Sequence, residues 1–89
     1  MRLLVVEDEK KLCDMVAKSL HQSGYEVDVC NDGEEALDMI YAEMYDLIVL
    51  DLNLPGVDGM EILRELRKED EETKVLILSA RSQIADKIE

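Results

Sequence analysis

The hydrophobic positions of the chain follow two alternating patterns. Short strand-like runs rich in apolar residues lie at residues 2–6, 25–30, 46–50 and 74–79, and stretches with helical spacing separate them. Continuous apolar runs are typical of strands buried on both faces, and their alternation with helices is typical of βαβ units. We therefore predict an α/β fold with a doubly wound parallel sheet, in which right-handed crossovers place helices on both faces.

Capping residues predict where the helices begin and end. The first helix is expected from about Glu9 to Ser23, with Gly24 just beyond its end. Asp32 and Asp58 each precede a glutamate by three residues, as in a capping box, and begin the second and third helices. The residues predicted to face inward are Leu12, Met15, Val16 and Leu20, then Ala36, Leu37, Ile40 and Met44, then Met60, Leu63 and Leu66.

Charge and composition limit the direct partners and the cellular location that we expect for this protein. The chain has 22 acidic and 10 basic residues, so its net charge of -12 argues against nucleic acid or an anionic membrane as a direct partner. It contains no membrane-length apolar run and no signal-peptide pattern, which predicts a cytoplasmic protein. Cys13 and Cys30 are not part of a CxxC pair and are expected to be reduced core thiols. Residues 1–89 are expected to form one domain.

Polar side chains follow the predicted strands where those strands end. Glu7 and Asp8 follow the first run, Asp51 and Asn53 follow the third, and Ser79 ends the fourth. Ligands bind outside the carboxyl ends of parallel strands, where these residues should converge. The three carboxylates suit Mg²⁺, with Mn²⁺ as an alternative. An aspartate in the central position of Asp51 is also a competent nucleophile for a phosphoryl group, and the Ser79 hydroxyl is a possible hydrogen-bond donor to it.

Other interpretations of the polar residues are structural. Asp8 or Asp58 can cap a helix, which suits Asp58 but does not explain the adjacent acids Glu7 and Asp8. His21 lies near the end of the first helix, where a cation stabilises the helix dipole. The acidic run at residues 69–72 is expected to be a solvated helix end and loop.

Three segments together resemble the receiver domain of two-component response regulators: residues 5–9 (VVEDE), 50–59 (LDLNLPGVDG) and 78–81 (LSAR). Residues 31–37 (NDGEEAL) resemble the branch that usually precedes a winged-helix DNA-binding domain. The resemblance implies a flavodoxin-like sheet with strand order 2-1-3-4-5. It also implies a phosphoacceptor that acts in transcription control and that catalyses, at most, its own phosphorylation and dephosphorylation.

The resemblance implies a role for each site residue. Asp51 would accept a phosphoryl group from a phosphohistidine of a sensor histidine kinase. Asp8, Asp51 and the backbone carbonyl of Asn53 would hold Mg²⁺, with Glu7 acting through a bound water. Ser79 would be the switch hydroxyl, and the backbone N–H of Ala80 would contact the phosphoryl oxygens.

The chain departs from the family pattern at its end. A fourth helix is predicted from Ser82, and the sequence stops at Glu89, so we expect a truncated receiver with four strands that lacks the fifth strand, the fifth helix and the family's lysine. Lys87 does not match that lysine.

Two alternative functions stay open. One is an inactive fragment that forms a homodimer or a swapped oligomer through the exposed fourth strand. The other is a small Mg²⁺-dependent phosphohydrolase, although such enzymes usually carry a second acid at the position of Asn53.

Overall fold

The computed structural model describes residues 1–78 of the 89. Strands and helices alternate along this part of the chain, as predicted. The strands are β1 (Arg2–Val6), β2 (Glu26–Cys30), β3 (Leu47–Asp51) and β4 (Lys74–Leu78), and the helices are α1 (Lys10–Gln22), α2 (Gly33–Ala42) and α3 (Gly59–Glu69). The helix predicted from Ser82 lies outside the described residues.

All four strands are parallel and lie in the order β2-β1-β3-β4. Leu3 of β1 is in register with Val27 of β2 on one side and with Leu47 of β3 on the other. Because helices cover both faces of the sheet, the apolar runs of the central strands β1 and β3 are continuous. Val6 pairs with Leu50, so the carboxyl ends of β1 and β3 are adjacent. This register places the residues that follow β1 beside the last residue of β3.

The helices cover both faces of the sheet, which confirms the doubly wound prediction. On one face, α1 packs against Val5 and Val49 through Cys13, Val16 and Leu20. On the other face, α2 and α3 cover a larger cluster. Its buried members are Leu4, Val6, Cys30, Ala36, Tyr45, Ile48, Leu50, Ile62, Leu63, Leu66 and Val75.

The inward face of α1 agrees with the prediction at Val16 and Leu20 and differs from it at Leu12 and Met15. Met15 is 64% exposed and Leu12 is 36% exposed, whereas Cys13 is fully buried. The stripe that contacts the sheet runs through Cys13, Val16 and Leu20, and it has the same helical spacing as the predicted stripe. The small Cys13 side chain lets the helix approach the sheet closely, with its Sγ 3.8 Å from the carbonyl oxygen of Val5. Close approach at this position therefore turns Met15 towards solvent.

Two further methionines predicted to face inward are exposed. Helix α2 ends at Ala42, so Met44 lies in the following loop, where it is 83% exposed. Met60 lies in the first turn of α3 and is 39% exposed, because the buried stripe of that helix runs through Ile62, Leu63 and Leu66. Methionine at a helix end is thus a poor marker of the core in this chain.

The caps predicted from sequence are present at three helix ends. Gly24 has a φ of +100° and its N–H donates to the carbonyl of His21 at 2.9 Å, which closes α1. The Asp32 side chain accepts a hydrogen bond from the N–H of Glu35 at 2.8 Å. Asp58 also caps its helix, but its partner is the N–H of Met60 at 3.0 Å rather than that of Glu61. The capping interpretation of Asp58 is confirmed.

Candidate functional site

Three acidic side chains meet at the carboxyl edge of the sheet. Glu7 and Asp8 follow β1, and Asp51 is the last residue of the neighbouring β3. One carboxylate oxygen from each of the three lies within 4.8 Å of the others. Glu7 is 6% exposed and Asp51 is 7% exposed, while Asp8 is open to solvent. The cluster thus has two buried carboxylates and one that is exposed to solvent.

Backbone N–H groups orient the two buried carboxylates. Oε1 of Glu7 accepts a hydrogen bond from the N–H of Glu9 at 3.0 Å. Oδ1 of Asp51 accepts one from the N–H of Asn53 at 3.0 Å. Both bonds span two residues, so each carboxylate is held by the loop that follows its own strand. The side chains therefore have defined positions without using a cation from the protein.

Burial and mutual repulsion act on the Glu7 carboxyl. Loss of solvation, and to a lesser degree the nearby Asp51 carboxylate, raises the pKa of Glu7 to about 7, although the hydrogen bond from the N–H of Glu9 partly offsets the increase. The four ion pairs formed within residues 1–78 include none of the three clustered acids. Two buried, like-charged groups without a protein cation favour the binding of a cation from solution.

The donor set fits a hard divalent cation. Carboxylate oxygens are the ligands that Mg²⁺ prefers, and Mg²⁺ usually binds through one or two carboxylates while it keeps several waters. The exposed Asp8 leaves the mouth of the pocket open for such waters or for a phosphoryl oxygen. Glu7, Asp8 and Asp51 are therefore brought together as predicted, and the structure fits the metal that the sequence suggested.

The structure describes one of the three remaining predicted site residues. Asn53 is exposed in the loop after β3, where its N–H is bonded to Asp51. The role of its backbone carbonyl as a metal ligand remains a prediction. Ser79 and Ala80 lie outside the described residues.

The polar residues interpreted as structural have structural positions. His21 is exposed in the last turn of α1, as expected for a residue at a helix end. Cys13 and Cys30 are both buried free thiols, which confirms that interpretation. In the acidic run, Glu69, Glu71 and Glu72 are exposed. Asp70 accepts hydrogen bonds from the N–H groups of Glu72 and Thr73.

Two glycines that position the site were not predicted from sequence. A Cβ on Gly59 would lie 2.7 Å from the carbonyl oxygen of Asp51 and 2.7 Å from Cα of Leu52. A Cβ on Gly33 would overlap the backbone carbonyl of Val57. Each glycine is the first residue of a helix and follows a capping aspartate. Repetition of Asp-Gly at both helix starts was the available signal, and it marks where helices pack closely on the loop after β3.

Comparison with known proteins identifies the family. A family model described as the response regulator receiver domain matches residues 3–89. The chain belongs to the response regulator receiver family. The transcriptional regulatory protein TctD of Salmonella typhimurium is 46% identical over 88 residues, which cover 99% of this chain and 39% of TctD. The receiver chain thus spans less than half the length of this curated relative.

Solved structures agree on the receiver fold. The response regulator protein TrrA from Thermotoga maritima, in complex with Mg²⁺-BeF, has a TM-score of 0.88 and 38% identity, with 96% of this chain and 74% of that chain covered. A chain in the crystal structure of histidine kinase ThkA in complex with TrrA has a TM-score of 0.83 and 40% identity, with 91% and 70% covered. The predicted family and the flavodoxin-like fold class are confirmed. Within residues 1–78, no helix is long and apolar enough to cross a membrane.

Proposed function

We propose that residues 1–89 are the phosphoacceptor domain of a two-component response regulator, in which Asp51 accepts a phosphoryl group from a sensor histidine kinase. The observation that carries this proposal is the cluster of Glu7, Asp8 and Asp51 at the carboxyl edge of a receiver fold, with no protein cation paired to it within residues 1–78. The kinase complex of the similar protein TrrA supports a kinase as the partner.

In the proposed reaction, a carboxylate oxygen of Asp51 attacks the phosphorus of a phosphohistidine. A bond from oxygen to phosphorus forms, the bond from phosphorus to nitrogen breaks, and the imidazole leaves with the electron pair. The N–H of Asn53 holds Oδ1 of Asp51 during this step. Asp51 is buried, and within residues 1–78 its carboxylate forms no ion pair, so a protein cation does not occupy its second oxygen.

Glu7, Asp8, Asp51 and the backbone carbonyl of Asn53 would hold Mg²⁺, with Glu7 acting through water. When bound, the ion offsets the repulsion between the carboxylates and the incoming phosphoryl oxygens. Ser79 and Ala80 would contact the transferred group through a hydroxyl and a backbone N–H.

The domain acts as a switch rather than as an enzyme for other substrates. Control of transcription through an effector domain of the whole protein is supported by the name of the relative TctD.

The test is the intact mass of the chain after incubation with Mg²⁺ and acetyl phosphate. We expect a single phosphoryl adduct in the wild-type chain and in Asp38→Asn, which removes an exposed carboxylate of α2. We expect no adduct in Asp51→Asn. An adduct that persists in Asp51→Asn, or its absence from a wild-type chain that is folded by circular dichroism, would contradict the proposal.

A second candidate function is self-association through β4. Among residues 1–78, β4 has β3 as its single neighbour, and Leu76 of β4 is 38% exposed. An apolar strand with a free edge can pair with another chain. Sedimentation equilibrium of the same samples separates the two candidates, since a concentration-dependent dimer without a phosphoryl adduct supports association alone.

A further inference from the structure

Glu7 is bound to the end of β2 through both of its backbone polar groups. Its N–H donates to the carbonyl of Cys30 at 3.0 Å, which extends the pairing of β1 and β2 by one residue. Its carbonyl accepts a hydrogen bond from Nδ2 of Asn31 at 2.8 Å. The second bond is made by a half-buried side chain 24 positions away in sequence. Asn31 is not one of the clustered acids.

The bond from Asn31 determines the orientation of one particular peptide plane. The carbonyl of Glu7 belongs to the peptide group that joins Glu7 to Asp8, and such groups are planar. The side chains of both acids leave the backbone from the two ends of this plane. A hydrogen bond to its oxygen therefore restricts the directions of both carboxylates together.

Apart from the bond between the N–H of Glu9 and the Glu7 carboxylate, few contacts hold the loop between β1 and α1. Helix α1 begins after Glu9, whose side chain makes no capping hydrogen bond. The carboxylate oxygens of Glu7, Asp8 and Asp51 also lie within 4.8 Å of one another at this edge. Repulsion between these carboxylates favours opening of the loop, and the hydrogen bond from Asn31 opposes that opening.

We propose that Asn31 is a positioning residue that holds the peptide plane between Glu7 and Asp8 in the orientation that binds the divalent cation. This inference rests on the proposed function, because it assumes that the acidic cluster binds Mg²⁺. Asn31 itself contacts neither the ion nor the phosphoryl group.

The primary test is the Mg²⁺ dissociation constant measured by isothermal titration calorimetry. Asn31→Leu removes the donor and keeps a side chain of similar size, and we expect it to weaken Mg²⁺ binding about tenfold, as for partners that orient metal ligands. Asn31→Ser, whose hydroxyl is too short to reach the Glu7 carbonyl, gives a second variant should the leucine disturb folding. At saturating Mg²⁺, both variants are expected to reach the wild-type level of phosphoryl adduct.

Thr73→Val is the matched control. Thr73 Oγ1 lies 3.2 Å from the carbonyl oxygen of Tyr45 and also contacts the Asp70 carboxylate, so this variant removes a long-range contact from a side chain to the backbone, together with a local one, at the opposite edge of the sheet. We expect it to lower the resistance to urea without changing the Mg²⁺ affinity. Wild-type affinity in both Asn31 variants, or an equal loss in Thr73→Val, would overturn the inference. A wild-type chain that binds no Mg²⁺ would instead overturn the proposed function on which it rests.

Discussion

Acidic side chains have opposite electrostatic environments at the two ends of the strands. We call these the amino edge, where the strands begin, and the carboxyl edge, where they end. At the amino edge, the Arg2 guanidinium contacts Asp28 at 2.9 Å and Glu43 at 3.2 Å, and lies 5.8 Å from the centre of the Tyr45 ring. The Tyr45 hydroxyl donates to the same Asp28 carboxylate at 2.7 Å. At the carboxyl edge, Glu7, Asp8 and Asp51 face one another with no ion pair formed within residues 1–78.

The pKa values show what this difference means. The hydrogen bond from Tyr45, together with the bonds and charge of Arg2, lowers the pKa of Asp28, despite some loss of solvation. Burial, with the charge of Asp51 as a smaller cause, raises the pKa of Glu7 to about 7. Ionisation of Asp28 therefore stabilises the fold, whereas ionisation of Glu7 destabilises it. A cation would offset this unfavourable charge, which supports the proposed metal site at the carboxyl edge.

The largest expected effect is stabilisation by Mg²⁺. A ligand that binds only the folded state at 100 times its dissociation constant adds about 2.7 kcal/mol to the free energy of unfolding. We expect this increase in wild-type chain and in Asp14→Asn, which removes an exposed carboxylate of α1. Asp8→Asn should lose most of it. Urea unfolding with Mg²⁺ or with EDTA measures the difference, and equal stabilisation of Asp8→Asn would argue against Asp8 as a ligand.

Glu7→Gln should remove much of the unfavourable electrostatic energy at the carboxyl edge. Without Mg²⁺ at pH 7, removal of this buried charge should raise the free energy of unfolding by roughly 1–3 kcal/mol, since the amide retains an acceptor for the N–H of Glu9. Glu26→Gln, which changes an exposed acid of β2, controls for the lower net charge. Urea unfolding in EDTA is the measurement. A loss of stability in Glu7→Gln relative to Glu26→Gln would show that repulsion at this edge is unimportant.

Asp28→Asn should weaken the amino edge by about 1 kcal/mol at neutral pH, because it removes a charge-assisted hydrogen bond. The folded pKa of Asp28 lies below the ordinary value of 3.8, so its contribution is present above that value and is lost as the pH falls through the folded pKa. The difference in unfolding free energy between wild type and Asp28→Asn should therefore be constant near pH 6 and begin to shrink as the pH falls below about 4. A constant difference across this range would assign the effect to packing instead of charge.

Local patterns predicted the secondary structure well, because each decisive signal is close in sequence. Asp32 and Asp58 cap α2 and α3, and Gly24 closes α1, through contacts within a few residues. The inward face of α1 was wrong at Leu12 and Met15, since either of two apolar stripes fits the helical period. The close approach of Cys13 to β1 decides between them, and this depends on the shape of the sheet.

The acids of the candidate site could be predicted, whereas the residues that support them could not. Glu7, Asp8 and Asp51 end apolar strands, and strand order in a parallel sheet brings such ends together. Asn31 resembles an ordinary loop residue in the sequence, because its bond to Glu7 spans 24 positions. The role of Gly59 is likewise visible only in the tertiary structure, where α3 packs on the backbone of Asp51.

By itself, the sequence determined the order of elements, the helix caps, the family and the three acids that meet at one edge. These depend on periodicity, turn chemistry and short motifs, which are local properties of the chain. The tertiary structure alone decided which face of α1 is buried, that Asp28 is paired while Glu7 is not, and that Asn31 holds the Glu7 backbone. These depend on distances between segments remote in sequence, which arise only when the sheet assembles.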